Sequence, residues 1–157
     1  MEIEKKFLVA SDRWRELSSK SDHIVQFYLT GLDHEPTVRL RKKGDRGYLT
    51  LKYSSCSTDT LIREEYEYQI PAEDVDAQMG KATGLVIEKI RHYVATPDDH
   101  VWEIDEFKGA HEGLIIAEIE LTDQDDSFEL PDWIGEDVTA DSRYSNLVLS
   151  FSRVTPE

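Results

Sequence analysis

An alternation that runs against the usual sense of a sheet constrains this chain most. Residues 2–9 read Glu-Ile-Glu-Lys-Lys-Phe-Leu-Val. In an extended strand, successive side chains point to opposite faces. Glu2, Glu4 and Lys6 therefore share one face with Leu8, and Ile3, Lys5, Phe7 and Val9 take the other. Carboxylates two residues apart stand about 7 Å apart along a strand, close enough to grip one hard cation or two neighbouring ones. One such strand would mean little, but the pattern returns on nearly every strand that follows.

The second strand is expected over His23–Thr30, with Val25, Phe27 and Leu29 opposite Ile24, Gln26, Tyr28 and Thr30. The third spans Thr37–Lys43 and sets Arg39, Arg41 and Lys43 against Val38 and Leu40. Gly44–Gly47 reads as a tight hairpin loop. It leads to a fourth strand over Tyr48–Ser54, with Thr50 and Lys52 on one face. The fifth, Leu61–Ile70, carries Arg63, Glu65 and Glu67 together. The sixth, Leu85–Ala95, places Lys89 and Arg91 with Ile87 and Tyr93. The seventh, Val101–Phe107, and the eighth, Leu114–Leu121, contribute Glu103 with Asp105 and Glu118 with Glu120. Short helices are expected after Ser11-Asp12 as N-cap, after Pro71 as first helical residue, and after a Thr139–Asp141 cap. Leu130-Pro131 and Trp133-Ile134 are expected to dock on the barrel. The fold class is α+β: an eight-stranded antiparallel closed β-barrel, a tunnel, with helices packed outside. With no internal repeat or linker, residues 1–157 read as one domain.

Fifteen charges point into that barrel. Lone buried charges cost several kcal/mol each, about the scale of a small domain's whole stability, so a dry interior is excluded. The cavity must be wet, its charges must pair, and a charged ligand belongs in it. A polyphosphate with a divalent metal asks for both signs at once. Arg and Lys neutralise phosphate oxygens, and carboxylates hold Mg²⁺ or Mn²⁺. The chain has no GxxxxGK[ST] loop, Gly-rich dinucleotide fingerprint, HExxH or CxxC. The net charge of −15 disfavours nucleic-acid partners. A single cysteine, Cys56, rules out an intrachain disulfide and fits a reducing compartment. With no apolar run long enough to span a membrane and no basic leader, the expected location is the cytoplasm, with no membrane partner.

In order along the chain, the ExExK of Glu2, Glu4 and Lys6, the RxR of Arg39 and Arg41, Lys52, the RxExE of Arg63, Glu65 and Glu67, the KxR of Lys89 and Arg91, Glu103 with Asp105, and Glu118 with Glu120 form an ordered set. That set resembles the triphosphate tunnel metalloenzymes of the CYTH superfamily over nearly the whole chain. The resemblance implies an eight-stranded tunnel, a triphosphate substrate and dependence on Mg²⁺ or Mn²⁺. It assigns Glu2, Glu4, Glu65, Glu67, Asp105, Glu118 and Glu120 to metal. It assigns Lys6, Arg39, Arg41, Lys52, Arg63, Lys89 and Arg91 to phosphate. Tyr28 and Lys89 are the candidates to orient or deprotonate an attacking water. The expected reaction is hydrolysis of inorganic tripolyphosphate to pyrophosphate and phosphate. Thiamine triphosphate as substrate, a class IV-type adenylyl cyclase and a non-catalytic polyphosphate-binding module are the alternatives. Monomer and homodimer both remain open, as do ligand or ion-pair roles for Glu103 and tunnel or capping roles for Arg143. The five histidines read as structural or surface residues, and Trp14, Trp102 and Trp133 as packing.

Overall fold

The computed structural model describes residues 2–53, 62–122 and 126–151; the side chains of Glu2, Ile62 and Arg63 lie outside what it describes, as does Cys56. Nine strands form one sheet: β1 (Glu2–Val9), β2 (Lys20–Tyr28), β3 (Thr37–Lys43), β4 (Arg46–Tyr53), β5 (Ile62–Ile70), β6 (Ile87–Ala95), β7 (Val101–Lys108), β8 (Ile115–Glu120) and β9 (Ile134–Asp137). Their spatial order is β5-β4-β3-β2-β6-β7-β8-β1-β9, and the neighbours run antiparallel.

The expected count of eight is low by one, and closure is incomplete. β1 offers one full edge to β8, from Glu4 opposite Glu120 to Leu8 opposite Ile116. Its other edge is divided. Glu2 and Ile3 pair with Arg63 and Ile62 of β5, whereas Phe7 and Val9 pair with β9. The ring is thus joined at β1–β5 by two residue pairs rather than by a full ladder. β9 escapes the alternation rule because Ile-Gly-Glu-Asp offers one large apolar side chain and a glycine.

The outer faces carry the apolar residues and are partly covered by short segments. Phe7, Trp102, Ile104, Ala117 and Ile119 pack with Trp14 of helix α1 (Trp14–Leu17) and with Trp133. The Trp102 and Trp133 rings meet edge to face, with centroids 5.7 Å apart, so these tryptophans are packing residues. Phe27 and Leu40 pack with Val75 of helix α2 (Ala72–Gln78). Gly47 lets α2 come close: a Cβ there would fall 3.0 Å from Val75 Cγ2.

Three helix boundaries differ from expectation. Arg13, not Ser11 or Asp12, occupies the N-cap position of α1 and makes no side-chain cap bond. Pro71 is the N-cap residue of α2 rather than its first helical residue. The final helix divides into a 3-10 turn at Ser142–Tyr144, capped by Asp141, and helix α3 (Asn146–Leu149), capped by Ser145. Ser145 takes over because its hydroxyl accepts the Val148 N–H and restarts the helix. Among the described residues no helix is long and apolar enough to cross a membrane.

Candidate active site

The register carries the charged faces around the ring without a slip. Arg39 stands opposite Thr50, which stands opposite Glu67. Lys52 faces Glu65, Glu4 faces Glu120, Lys6 faces Glu118, Glu118 faces Glu103, and Arg91 faces Asp105. Most of these side chains line a cavity of about 350 Å³. Its basic wall is Arg39, Arg41, Lys43, Lys52 and Arg91. Its acidic wall is Glu4, Glu65, Glu67, Glu103, Glu118 and Glu120, and Asn146 completes it.

One end of the barrel is shut. The inner-face positions Leu8, Ile87, Phe107 and Ile116 continue the charged faces of four strands with apolar side chains. Val138, Tyr144 and Leu149 pack on them. The segment from Ser142 to Ser150 therefore forms a floor of packed side chains at this end of the barrel. Leu85 N–H donates to the Ser150 carbonyl at 2.6 Å, and the buried His111 holds the Leu149 carbonyl through Nε2 at 2.6 Å. Away from the floor, Glu103 and Glu120 also line a second hollow of about 430 Å³, shared with Asp98, His100 and Asp126.

Just above the floor lies a buried ion-pair network. Asp105 accepts from Lys89 Nζ at 2.7 Å and from Arg91 Nε and Nη2 at 2.8 and 2.9 Å. Burial alone would raise Asp105, but the charges of Arg91 and Lys89 win and hold it well below the usual carboxylate range. Burial pushes the Lys89 ammonium down to about 7, with Arg91 and Arg41 adding to the fall and Asp105 opposing it. For Arg91, the Asp105 charge and hydrogen bonds overcome the cost of burial and raise it.

Three of the expected residues are deeply buried. Both oxygens of Asp105 are paired with cations and the residue is 1% exposed. Lys89 is 0% exposed and Tyr28 1%, and neither lines the cavity. An alternation pattern assigns a face but not a depth, and these residues lie at the dry end.

The remaining expected residues meet in the cavity or at its edge. Arg41 donates through Nε and Nη2 to Gln26 Oε1 at 2.8 and 2.6 Å, and burial, Arg39 and Arg91 lower its pKa. Thr50 donates to Glu67 at 3.1 Å and accepts from Arg39 at 3.4 Å, relaying between guanidinium and carboxylate. Lys52 lies 3.7 Å from Glu65 and Lys6 4.0 Å from Glu118. Glu103 is 3.5 Å from Arg91 and also lines the cavity; burial raises its pKa against the pull of Arg91, with Glu118 and Asp105 adding to the rise. Arg143 is exposed, and its guanidinium pairs at 2.8 Å with Asp141, the residue that caps the 3-10 turn. Glu2 and Arg63 pair by backbone register, with their side chains outside what is described.

Gln26, Lys43 and Asn146 were not singled out by the sequence. Gln26 and Lys43 were nonetheless legible, since both fall on inner faces already identified. Asn146 gave no signal, because it comes from a helix and not from the wall.

The acidic wall fits a hard divalent cation. Glu4 and Glu120 stand directly opposite each other, as do Glu103 and Glu118, and like charges so placed repel unless a cation lies between them. Among the described residues no three carboxylates or imidazoles form a cage by themselves. The set suits an ion that takes one or two carboxylates and completes its shell with water and phosphate oxygens.

The CYTH domain matches residues 1–149. An inorganic triphosphatase of Acetivibrio thermocellus is 45% identical over 150 residues, 94% of this chain and 92% of that protein. One of Nitrosomonas europaea is 37% identical over 153 residues, 96% and 97% respectively. The crystal structure of the inorganic triphosphatase NE1496 superposes with a TM-score of 0.71 at 33% identity, covering 97% of this chain and 95% of that one. A putative adenylyl cyclase from Hippeastrum, described as having a dominant triphosphatase activity, shares the fold at a TM-score of 0.62 and 16% identity over 78% and 80% of the two chains. With its ordered charged motifs on the inner face of one antiparallel ring, the chain belongs to the CYTH family.

Proposed function

We propose that this protein is a divalent-metal-dependent inorganic triphosphatase that hydrolyses tripolyphosphate to pyrophosphate and phosphate. The observation that carries this reading is a cavity inside the barrel with guanidinium and ammonium groups on one wall and carboxylates on the other. Arg39, Arg41, Lys52 and Arg91, with Lys6 beside Glu118 at the floor, would bind phosphate oxygens and stabilise charge developing on the leaving pyrophosphate. Glu4, Glu118 and Glu120, with Glu65 and Glu67 on the adjoining strand β5, would hold Mg²⁺ or Mn²⁺. Such an ion, when bound, neutralises phosphate charge and makes a water more acidic. The apolar floor excludes water from one end and leaves the chain of phosphates to enter from the other.

The test is phosphate release from tripolyphosphate, ATP, thiamine triphosphate and pyrophosphate, each with Mg²⁺, with Mn²⁺ and with chelator. Fast metal-dependent release from tripolyphosphate, well above the rest, is expected. Cyclic AMP from ATP without phosphate release would replace this reading with the cyclase.

A further inference from the structure

Among the described residues, Asn146 is the one that lines the cavity from the floor segment and not from a strand. Its Oδ1 accepts from Lys89 Nζ at 3.4 Å, while two residues earlier the Tyr144 carbonyl accepts from Lys6 Nζ at 3.3 Å. The floor thus touches two lysines on two different strands, β6 and β1. It is fixed in place. Ser150 Oγ donates to the Asn146 carbonyl at 3.0 Å, and a Cβ on Gly84 would fall 2.2 Å from the Ser150 carbonyl oxygen, so the two backbones are in contact.

The orientation of the Asn146 amide follows from chemistry. An ammonium group donates and cannot accept, so the amide must turn its oxygen to Lys89. The NH₂ group then points away from Lys89, and it has no partner among the described residues. A neutral donor on a wall rich in carboxylates is suited to an anion that the carboxylates would otherwise repel.

We propose that Asn146 is a positioning residue of the triphosphate site: its Oδ1 holds the Lys89 ammonium against the wall, and its NH₂ donates to a phosphate oxygen of the bound triphosphate. This rests on the triphosphatase reading. Asn146→Asp is the decisive variant. It keeps the size and the acceptor for Lys89 but replaces the donor with a carboxylate oxygen facing the anion. In the full chain it is expected to melt with the wild type. It should weaken binding of inorganic tripolyphosphate to metal-free protein, by calorimetry, on the order of tenfold or more. The KM for Mg²⁺-dependent phosphate release should rise in parallel, with kcat changing less. Asn146→Ala, which loses the donor without adding a repelling charge, should weaken binding by less.

An Asn146→Asp protein that binds tripolyphosphate as tightly as wild type overturns the proposal. So does a loss of melting temperature with an unchanged dissociation constant, the signature of a merely structural residue. Should Asn146→Ala fail to fold, Asn146→Asp decides alone. A wild type that neither binds nor hydrolyses tripolyphosphate overturns the triphosphatase reading and this inference together. An active wild type with an unaffected Asn146→Asp removes only this inference.

Discussion

Lys89 and Lys52 both point into the same barrel, yet they stand in different solvents. Lys89 is fully buried beside an apolar floor and touches Asp105 at 2.7 Å. Lys52 has a side chain 17% exposed and lies 3.7 Å from Glu65. Near the floor, charge is locked into a buried network that holds the fold. On the wetter wall, charge is left in looser pairs that a ligand can replace. Removing charge near the floor should therefore cost stability, and removing it from the wetter wall should cost function.

The largest expected effect is that of Asp105→Asn. It leaves the Lys89 and Arg91 cations in a dry region without their shared counter-charge. A loss of about 3–5 kcal/mol is expected from urea denaturation at pH 7. The sign with pH follows from linkage. The folded-state pKa of Asp105 is depressed from 3.8, so its contribution is fully present above that value and drains as pH falls below it. The gap between wild type and variant should narrow below about pH 4, as the Asp105 carboxylate is protonated. A gap under about 1 kcal/mol at pH 7, the scale of an exposed pair, would mean that the floor does not keep the network dry.

Glu120→Gln should act in the opposite sense. Glu120 faces Glu4 directly, so in metal-free protein the substitution removes a repulsion worth about 0.2–1 kcal/mol and should raise the melting temperature slightly. The rise in melting temperature that Mg²⁺ gives the wild type should shrink, and phosphate release should fall steeply. A metal-free protein clearly destabilised by this change would show that Glu120 is structural, and would erase the contrast with Asp105.

The charged half of this contrast was legible in the sequence, because a period of two reports which residues share a face. β1 and β3 were anticipated residue for residue, and the inner residues of the other wall strands were anticipated despite shifted ends. Part of the floor was legible too. Leu8, Ile87, Phe107 and Ile116 fall on the same faces as Lys6, Lys89, Asp105 and Glu118, and a run of charges giving way to apolar residues on four neighbouring strands marks a closed end. Depth was not legible. Whether Asp105 meets metal or two cations depends on how far along the barrel it lies, and strand pairing sets that. The residues that seal the floor, from Val138 to Leu149, lie outside any strand pattern and are placed by tertiary contacts alone.

Lys52→Gln gives the smallest change in stability and tests the wetter wall most directly. The pair with Glu65 spans 3.7 Å, longer than the 2.7 Å contact of Lys89 with Asp105, and both its side chains keep some contact with water, 17% and 18%. The variant should therefore lose less melting temperature than Asp105→Asn. The function should respond more. A phosphate anion presents Lys52 with more charge than Glu65 does, so binding would replace the pair rather than break it at a cost. KM for tripolyphosphate should rise several-fold with little change in the melting temperature, and the rise should shrink as salt is added. If Lys52→Gln instead unfolds the protein as Asp105→Asn does, then both regions of the barrel are structural and the ligand must be sought elsewhere.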